Sequence, residues 1–286
     1  MQLGDYRVEI IPDREFNLDG GAMFGVVPRV VWERVCPPDE FNRIRLTCNC
    51  LFIDTGREKI LVETGLGEKW SDKQLGMYGI EPKRPFAASL FEITGCRAED
   101  ITIVINTHLH FDHAGGNTVG PQAASLRLAT EALPQFPNAR YLVSRSEFNH
   151  AESPHERDRA SYLPENWHPL IDSGQIDLMP DEYEPVEGLC VEQVRGHSET
   201  MQTIKLTRDG ETLFGFFDMI PTRHHLPLPW IMGYDLFPTE TLEFKKRILP
   251  QALEENWICY FYHDIEMPLG RLIKVDGKIR AVAGES

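Results

Sequence analysis

Residues 101–117 read ITIVINTHLHFDHAGGN. The first seven, Ile101 to Thr107, are rich enough in β-branched apolar side chains to predict a strand. That strand runs into His108, and His110, Asp112 and His113 follow at once, so four ligand-type side chains crowd one strand end. A loop leaving a strand can turn His108 and His110 to one side, while Asp112 and His113, opening the next helix, address a neighbouring point. Imidazole nitrogen and carboxylate oxygen suit zinc or a similar divalent ion. A strand that delivers such groups at its C-terminal end and then enters a helix belongs to an α/β sheet, whose sites collect at that end.

The pattern recurs further along. LCVEQV (189–194) leads into Arg195-Gly196-His197-Ser198, ETLFGFF (211–217) stops at Asp218, and WICYFY (257–262) stops at His263-Asp264. Convergence of all four strand ends on one point is the economical reading. RLTCNCLFIDTGREKILVETG (45–65) reads as two strands joined by a turn around Thr55, Gly56 and Arg57, so the sheet is not purely parallel. Helical patterns fall at AASLFEITG (87–95) and TETLEFKKRIL (239–249), the second with Thr239 as its expected N-cap and Pro250 expected to bend or restart it.

Composition narrows the function. The chain has 286 residues, with 44 acidic against 29 basic side chains for a formal charge of −15. Affinity for a phosphate backbone comes from Lys and Arg displacing counterions, so nucleic acid is not expected as a partner. No apolar run approaches the roughly 18 residues a membrane helix needs, and MQLGDYRVEIIPDREF at the start lacks a basic then apolar leader. No membrane association and a cytoplasmic location are therefore the expectation, and the cysteines Cys36, Cys48, Cys50, Cys96, Cys190 and Cys259 read as buried free thiols. The whole of 1–286 reads as a single domain. AESPHERDRASYLPENWHP (151–169) forms an insertion or lid in which His155 and His168, with the adjacent His150, lie on the surface. There is no G-x-S-x-G elbow and no phosphate-binding loop, which leaves the chemistry to metal.

The series HxHxDH, then Gly-His after a strand, then Asp after a strand, then a late His resembles the metallo-β-lactamase superfamily. The resemblance implies an α/β fold, specifically a four-layer αββα sandwich, with two divalent metal ions along one edge of the sheets. It implies His108, His110 and His197 as ligands of one ion and Asp112, His113 and His263 as ligands of the other, with Asp218 bridging. Zinc is the default, and cobalt, manganese or iron could occupy the same nitrogen and oxygen ligands. Paired ions lower the pKa of a bridging water and polarise a carbonyl or phosphoryl oxygen, so the implied enzyme is a metal-dependent hydrolase. Asp112 is the expected proton carrier to the leaving alkoxide.

DGGAMFGVVPRVVWERVCPPDEFNRIRL (19–46), TLFGFFDMIPT (212–222) and the late FYHD together resemble the lactonase branch, the quorum-quenching group that opens N-acyl-homoserine lactones, and more narrowly its YtnP-like members. Met23, Phe24, Val26, Trp32 and Trp230 would then contact the small-molecule substrate. Some lactonases of the superfamily carry a tyrosine three residues after the bridging aspartate, where this chain has Pro221, so Tyr234, His224 or His225 would supply the polar contact. A homodimer fits the branch. Two other readings are a phosphotriesterase of the methyl-parathion-hydrolase type and a metal-binding sensor without turnover.

Overall fold

The computed structural model describes residues 1–81, 84–120 and 132–284. Among the described residues the apolar runs become two seven-stranded sheets and one short ribbon. The first sheet contains β1 (Gln2–Leu3), β2 (Tyr6–Asp19), β3 (Arg43–Asp54), β4 (Lys59–Val62) and β5 (Ile103–Ile105). Beyond the ribbon of β6 (Thr118–Val119) and β7 (Leu133–Pro134), it is completed by β8 (Arg140–Ser144) and β9 (Ile176–Met179), in the order β1-β2-β3-β4-β5-β8-β9. The second sheet runs in chain order through β10 (Glu182–Val186), β11 (Leu189–Gln193), β12 (Gln202–Arg208), β13 (Glu211–Gly215), β14 (Ile258–Tyr260), β15 (Leu269–Val275) and β16 (Lys278–Val282).

Both sheets are mixed, and the mixture follows from the connections. β3 and β4 pair antiparallel through the predicted turn, where Gly56 adopts φ 79° and Thr55 N–H donates to Glu58 O at 3.0 Å. β4, β5 and β8 pair in parallel, and the connection from β4 to β5 carries the helices Asp72–Tyr78 and Phe86–Thr94. β13 and β14 also pair in parallel, with the helix Pro238–Glu254 between them in sequence. That helix starts one residue before the expected cap. Pro238 holds the first position, where its missing N–H costs nothing, and Thr239 therefore lies inside the helix. Nor does Pro250 restart it: the helix runs on to Glu254, with Phe244, Ile248, Leu249 and Ala252 buried.

By internal contacts the chain forms two compact units, Met1–Arg14 with Cys48–Asp181, and Glu15–Thr47 with Glu182–Ser286. The first unit has a core of Ile11, Phe52, Leu61, Phe86, Leu90, Val104 and Tyr141. A second cluster in that unit joins Leu109, Ala114, Val143 and Ala151 to Tyr162 and Trp167, so the 151–169 segment reaches the core through its two buried aromatics. His155 and His168 are exposed as expected. His150 is not: its Nε2 lies 2.8 Å from Asp158 Oδ2 and its ring faces Tyr162, because it closes the last turn of the helix Arg145–Glu152. In the second unit Phe214 stacks on Trp257, Phe216 packs on Phe214 and Phe261 on Phe216, while Phe217, Tyr260 and Tyr262 pack against one another as a second aromatic group. Cys48, Cys50, Cys96 and Cys259 are buried thiols, whereas Cys36 is half-buried and Cys190 exposed. Among the described residues no helix is long and apolar enough to cross a membrane.

Candidate metal centre

Strand register explains how residues far apart in the sequence come together within each unit. In the second unit Gly215 pairs with Tyr260 across the parallel β13–β14 ladder, and Asp218 and His263 each lie three residues further on. Phe217 takes φ 45°, a left-handed turn for a non-glycine residue that ends the strand and starts the short 3-10 turn bearing Asp218. The result is a buried carboxylate set between two buried imidazoles. Asp218 Oδ2 is 3.3 Å from His197 Nε2, and Asp218 Oδ1 is 3.2 Å from His263 Nε2.

The far side of each ring is also fixed. His197 Nδ1 lies 3.1 Å from Asp235 Oδ1, whose other oxygen accepts from Thr241 Oγ1 at 2.7 Å, and His263 Nδ1 lies 2.8 Å from the carbonyl oxygen of Thr47. Acceptors at both Nδ1 atoms assign the ring proton there, leaving an Nε2 lone pair aimed at a carboxylate oxygen. Lone pairs opposed in this way repel unless a cation is shared between them, so the donor set fits a divalent metal ion. Gly196 makes room for this geometry: a Cβ there would lie 2.5 Å from Met219 Cε and 2.6 Å from Thr241 Oγ1.

In the first unit β4 and β5 pair Val62 with Ile105, and Glu63 and His108 emerge just beyond. His108, His110, Asp112 and His113 are all buried. The His108 ring lies 4.5 Å from that of His110 and 4.0 Å from that of His113. Glu63 organises them. Its carboxylate accepts from Thr107 N–H at 3.0 Å, from Thr107 Oγ1 and from Asn106 Nδ2 at 3.3 Å, and it lies 3.3 Å from His113 Nδ1. Because Thr107 gives its hydroxyl proton to Glu63, its oxygen can accept from His108 Nδ1 at 3.1 Å. Glu63, His108 and His113 each offer one ligand atom within 4.8 Å of the others.

Glu63 was not singled out in the sequence, although it ends the apolar run ILV in the way His108 ends ITIVINT. It sits at φ 62°, a left-handed backbone that turns the chain sharply at the strand end. Asp235 had no such signal, since it belongs to a loop and acts through His197.

A strap formed by Thr64 to Lys69 braces the loop after His113. Thr64 N–H and Oγ1 both donate to His113 O, at 2.8 and 3.1 Å, and Gly116 N–H donates to Gly65 O at 3.3 Å. The approach is backbone to backbone: a Cβ on Gly115 would lie 2.2 Å from Leu66 O, and one on Gly116 2.2 Å from Thr64 O. This is why two glycines follow the histidine motif. Asp13 holds the strap from behind, accepting from Leu66 N–H at 2.9 Å and Gly67 N–H at 3.3 Å, and burial raises its carboxyl to about 7 against the pull of Arg14.

The candidate substrate residues lie in the second unit. Phe24 is stacked between Trp32, at 5.3 Å, and His225, at 4.7 Å, with Trp230 edge-on at 5.5 Å. Met23, Phe24 and Trp32 are buried, Val26 is 87% exposed, and Tyr234 is 39% exposed. His225 has both ring nitrogens engaged, Nε2 with Met23 O at 2.9 Å and Nδ1 with Thr222 Oγ1 at 2.9 Å, and burial pushes it down to about 3. It is a neutral bolt between two segments. His224, half-buried, is shifted downward by burial and by Arg223.

Residues 43–188 match the model of the metallo-beta-lactamase superfamily. An N-acyl homoserine lactonase of Bacillus cereus is 26% identical over 241 residues, covering 80% of this chain and 86% of that protein. A structure described as a "probable metal-dependent hydrolase" from Staphylococcus aureus superposes with TM-score 0.88 at 28% identity, covering 100% of this chain and 99% of the other. AidC, a dizinc quorum-quenching lactonase solved with a product, shares the fold with TM-score 0.78 at 18% identity, over 100% of this chain and 97% of its own. The chain belongs to the metallo-beta-lactamase superfamily and is a hydrolase of that fold.

Proposed function

We propose that this hydrolase opens the ring of N-acyl-homoserine lactones, and so quenches signals of that class, using two divalent ions for which zinc is the first choice. His108, His110 and His197 are assigned to one ion, Asp112, His113 and His263 to the other, and Asp218 to both. The observation that carries the assignment is the Asp218 carboxylate, whose two oxygens each meet a different imidazole, at 3.3 and 3.2 Å. A carboxylate divided in this way is suited to bridging. Relatives named N-acyl homoserine lactonase, aligned over most of the chain, support the substrate class.

Bound ions would supply Lewis acidity and lower the pKa of water. The protein's own groups do the rest. Glu63, Asp235 and the Thr47 carbonyl hold imidazole tautomers, so no reorganisation is needed when substrate arrives. Asp112 orients water and passes its proton to the leaving alkoxide. Exposed Val26 and half-buried Trp230 offer apolar surface to an acyl chain, while His224 and Tyr234 offer polar atoms in place of the tyrosine that Pro221 replaces. A neutral lactone is not repelled by the −15 surface charge. In this reading residues 1–286 act as one cytoplasmic hydrolase, as a homodimer.

The test is a panel given to zinc-loaded protein: N-acyl-homoserine lactones of several chain lengths, a simple ester and a neutral organophosphate, with proton release followed. Lactone opening that disappears in His108→Ala and Asp218→Ala is expected. Turnover of the organophosphate alone would favour the phosphotriesterase reading, and full zinc without any turnover the sensor reading. If Asp112→Asn keeps its zinc and its kcat, Asp112 is not the proton carrier.

A further inference from the structure

We propose that Lys69 is a positioning residue for the metal centre: its ammonium clamps the far end of the histidine loop and thereby sets how tightly that loop holds a divalent ion, while touching no ligand. The inference deepens the metal-centre reading and rests on it.

Lys69 ends the strap that begins at Thr64. Its Nζ donates to the Gly115 carbonyl at 2.5 Å and to the Thr118 carbonyl at 2.7 Å. These carbonyls belong to the first residue of the 3-10 turn Gly115–Asn117 and to the residue just after it. The Lys69 stem also lies against Gly120, where a Cβ would stand 3.5 Å from Cγ and 3.7 Å from Cδ. The loop is thus gripped at three heights: by Thr64 at His113, by Gly65 at Gly116, and by Lys69 at Gly115 and Thr118.

The first grip is at the carbonyl of His113 itself, and the second, from Gly116 N–H to Gly65 O, is three residues further on. The third is charge-assisted, and it closes the turn that stops the helix Phe111–Ala114 from unwinding. A cation at the C-terminal side of a turn also meets the negative end of its peptide dipoles. Without Lys69 the two carbonyls lose their donor, and Asp112 and His113 lose the anchor beyond them.

Other charges near the ammonium are known. Glu68 on the strap itself and Glu165 on the turn Pro164–Asn166 favour its charge, but burial outweighs them and pushes it down to about 8. Asp112 and His113 are the titratable groups on the clamped loop.

The experiment uses the full chain stripped of metal, zinc alone as the probe, and competition against a chromophoric chelator, together with amide hydrogen exchange at Ala114 to Thr118. Lys69→Met, which keeps the stem and removes the donors, should weaken zinc binding by about tenfold or more, as loss of an outer partner does, and speed exchange in the loop. Lys69→Arg, still a charged donor, should recover part of both, and kcat in the loaded Met variant should fall with KM unchanged. Zinc affinity of Lys69→Met within twofold of wild type, unchanged loop exchange, or a Lys69→Arg variant no better than Lys69→Met would each overturn the proposal.

Should Lys69→Met fail to fold, the wild-type chain provides the test. Loop protection, corrected for intrinsic rate, should fall as pH rises through about 8 and the ammonium loses its proton, and flat protection would overturn the clamp. None of the binding or exchange readouts uses a lactone. A protein that opens no lactone can still show the clamp, so the two readings fail separately.

Discussion

The first unit collects its ligand candidates within His108 to His113, whereas the second draws His197, Asp218 and His263 from three separate loops. The two sets are held by different physics. The compact set sits on a loop pressed against a strap with no side chain between the backbones, so its geometry depends on Gly115 and Gly116. The dispersed set depends on strand register, with Gly215 opposite Tyr260, and on side-chain partners such as Asp235. A local motif needs a close backbone fit. A distributed one needs a sheet and a second layer of hydrogen bonds.

The largest expected effect falls on the residue where the distributed set converges. Asp218→Asn should cut kcat of the zinc-loaded enzyme by more than the roughly 10–100-fold typical of losing an outer partner, and should lower bound zinc measured by atomic absorption. A loss no greater than that would mean that Asp218 is itself only an outer group.

Next come the outer partners, one per unit. Glu63→Gln and Asp235→Asn should each weaken zinc binding by about 10–100-fold in a chelator competition, because each releases a ring tautomer. If Glu63→Gln has the larger effect by far, its carboxylate is a ligand, not a support, and the contrast between the units sharpens.

Glycine substitutions test the backbone claim. Gly115→Ala drives a Cβ into the Leu66 carbonyl, while Gly196→Ala meets the ends of the Met219 and Thr241 side chains, which can move. Urea unfolding should show Gly115→Ala losing at least about 1–3 kcal/mol and Gly196→Ala less, in line with the cost of overpacking. Equal losses would break the distinction between the two kinds of loop.

The smallest effect is a difference in pH dependence. His225 is held near 3 in the fold against an ordinary 6.5, so between those values the unfolded chain takes up a proton that the folded chain refuses. Its stabilising contribution is complete above about pH 6.5 and is lost as pH falls towards about 3. Asp13 runs the other way: raised from 3.8 to about 7, its contribution is full below 3.8 and is lost as pH rises through about 7. The stability gap between wild type and His225→Gln should therefore shrink on acidification, and the gap to Asp13→Asn should shrink as pH rises. Urea midpoints at several pH values measure both.

Much of this was legible in the sequence. Hydrophobic runs ending in His or Asp marked β5, β11, β13 and β14, and the turn at Gly56 marked the β3–β4 hairpin. What escaped notice acts through a neighbour. Asp235 and Glu63 work by orienting imidazoles, and Lys69 by holding carbonyls, so none belongs to a ligand pattern. Thr239 was misread as a cap because Pro238 starts the helix without needing one. His150 was misread as a surface group because its partner, Asp158, comes eight residues later, across a turn.

The count of zinc ions answers the central claim most directly. Equilibrium dialysis of the metal-stripped full chain against zinc, followed by lactone proton release at each loading, should show two ions per chain and activity that rises with the second. One ion per chain with full activity would contradict the account.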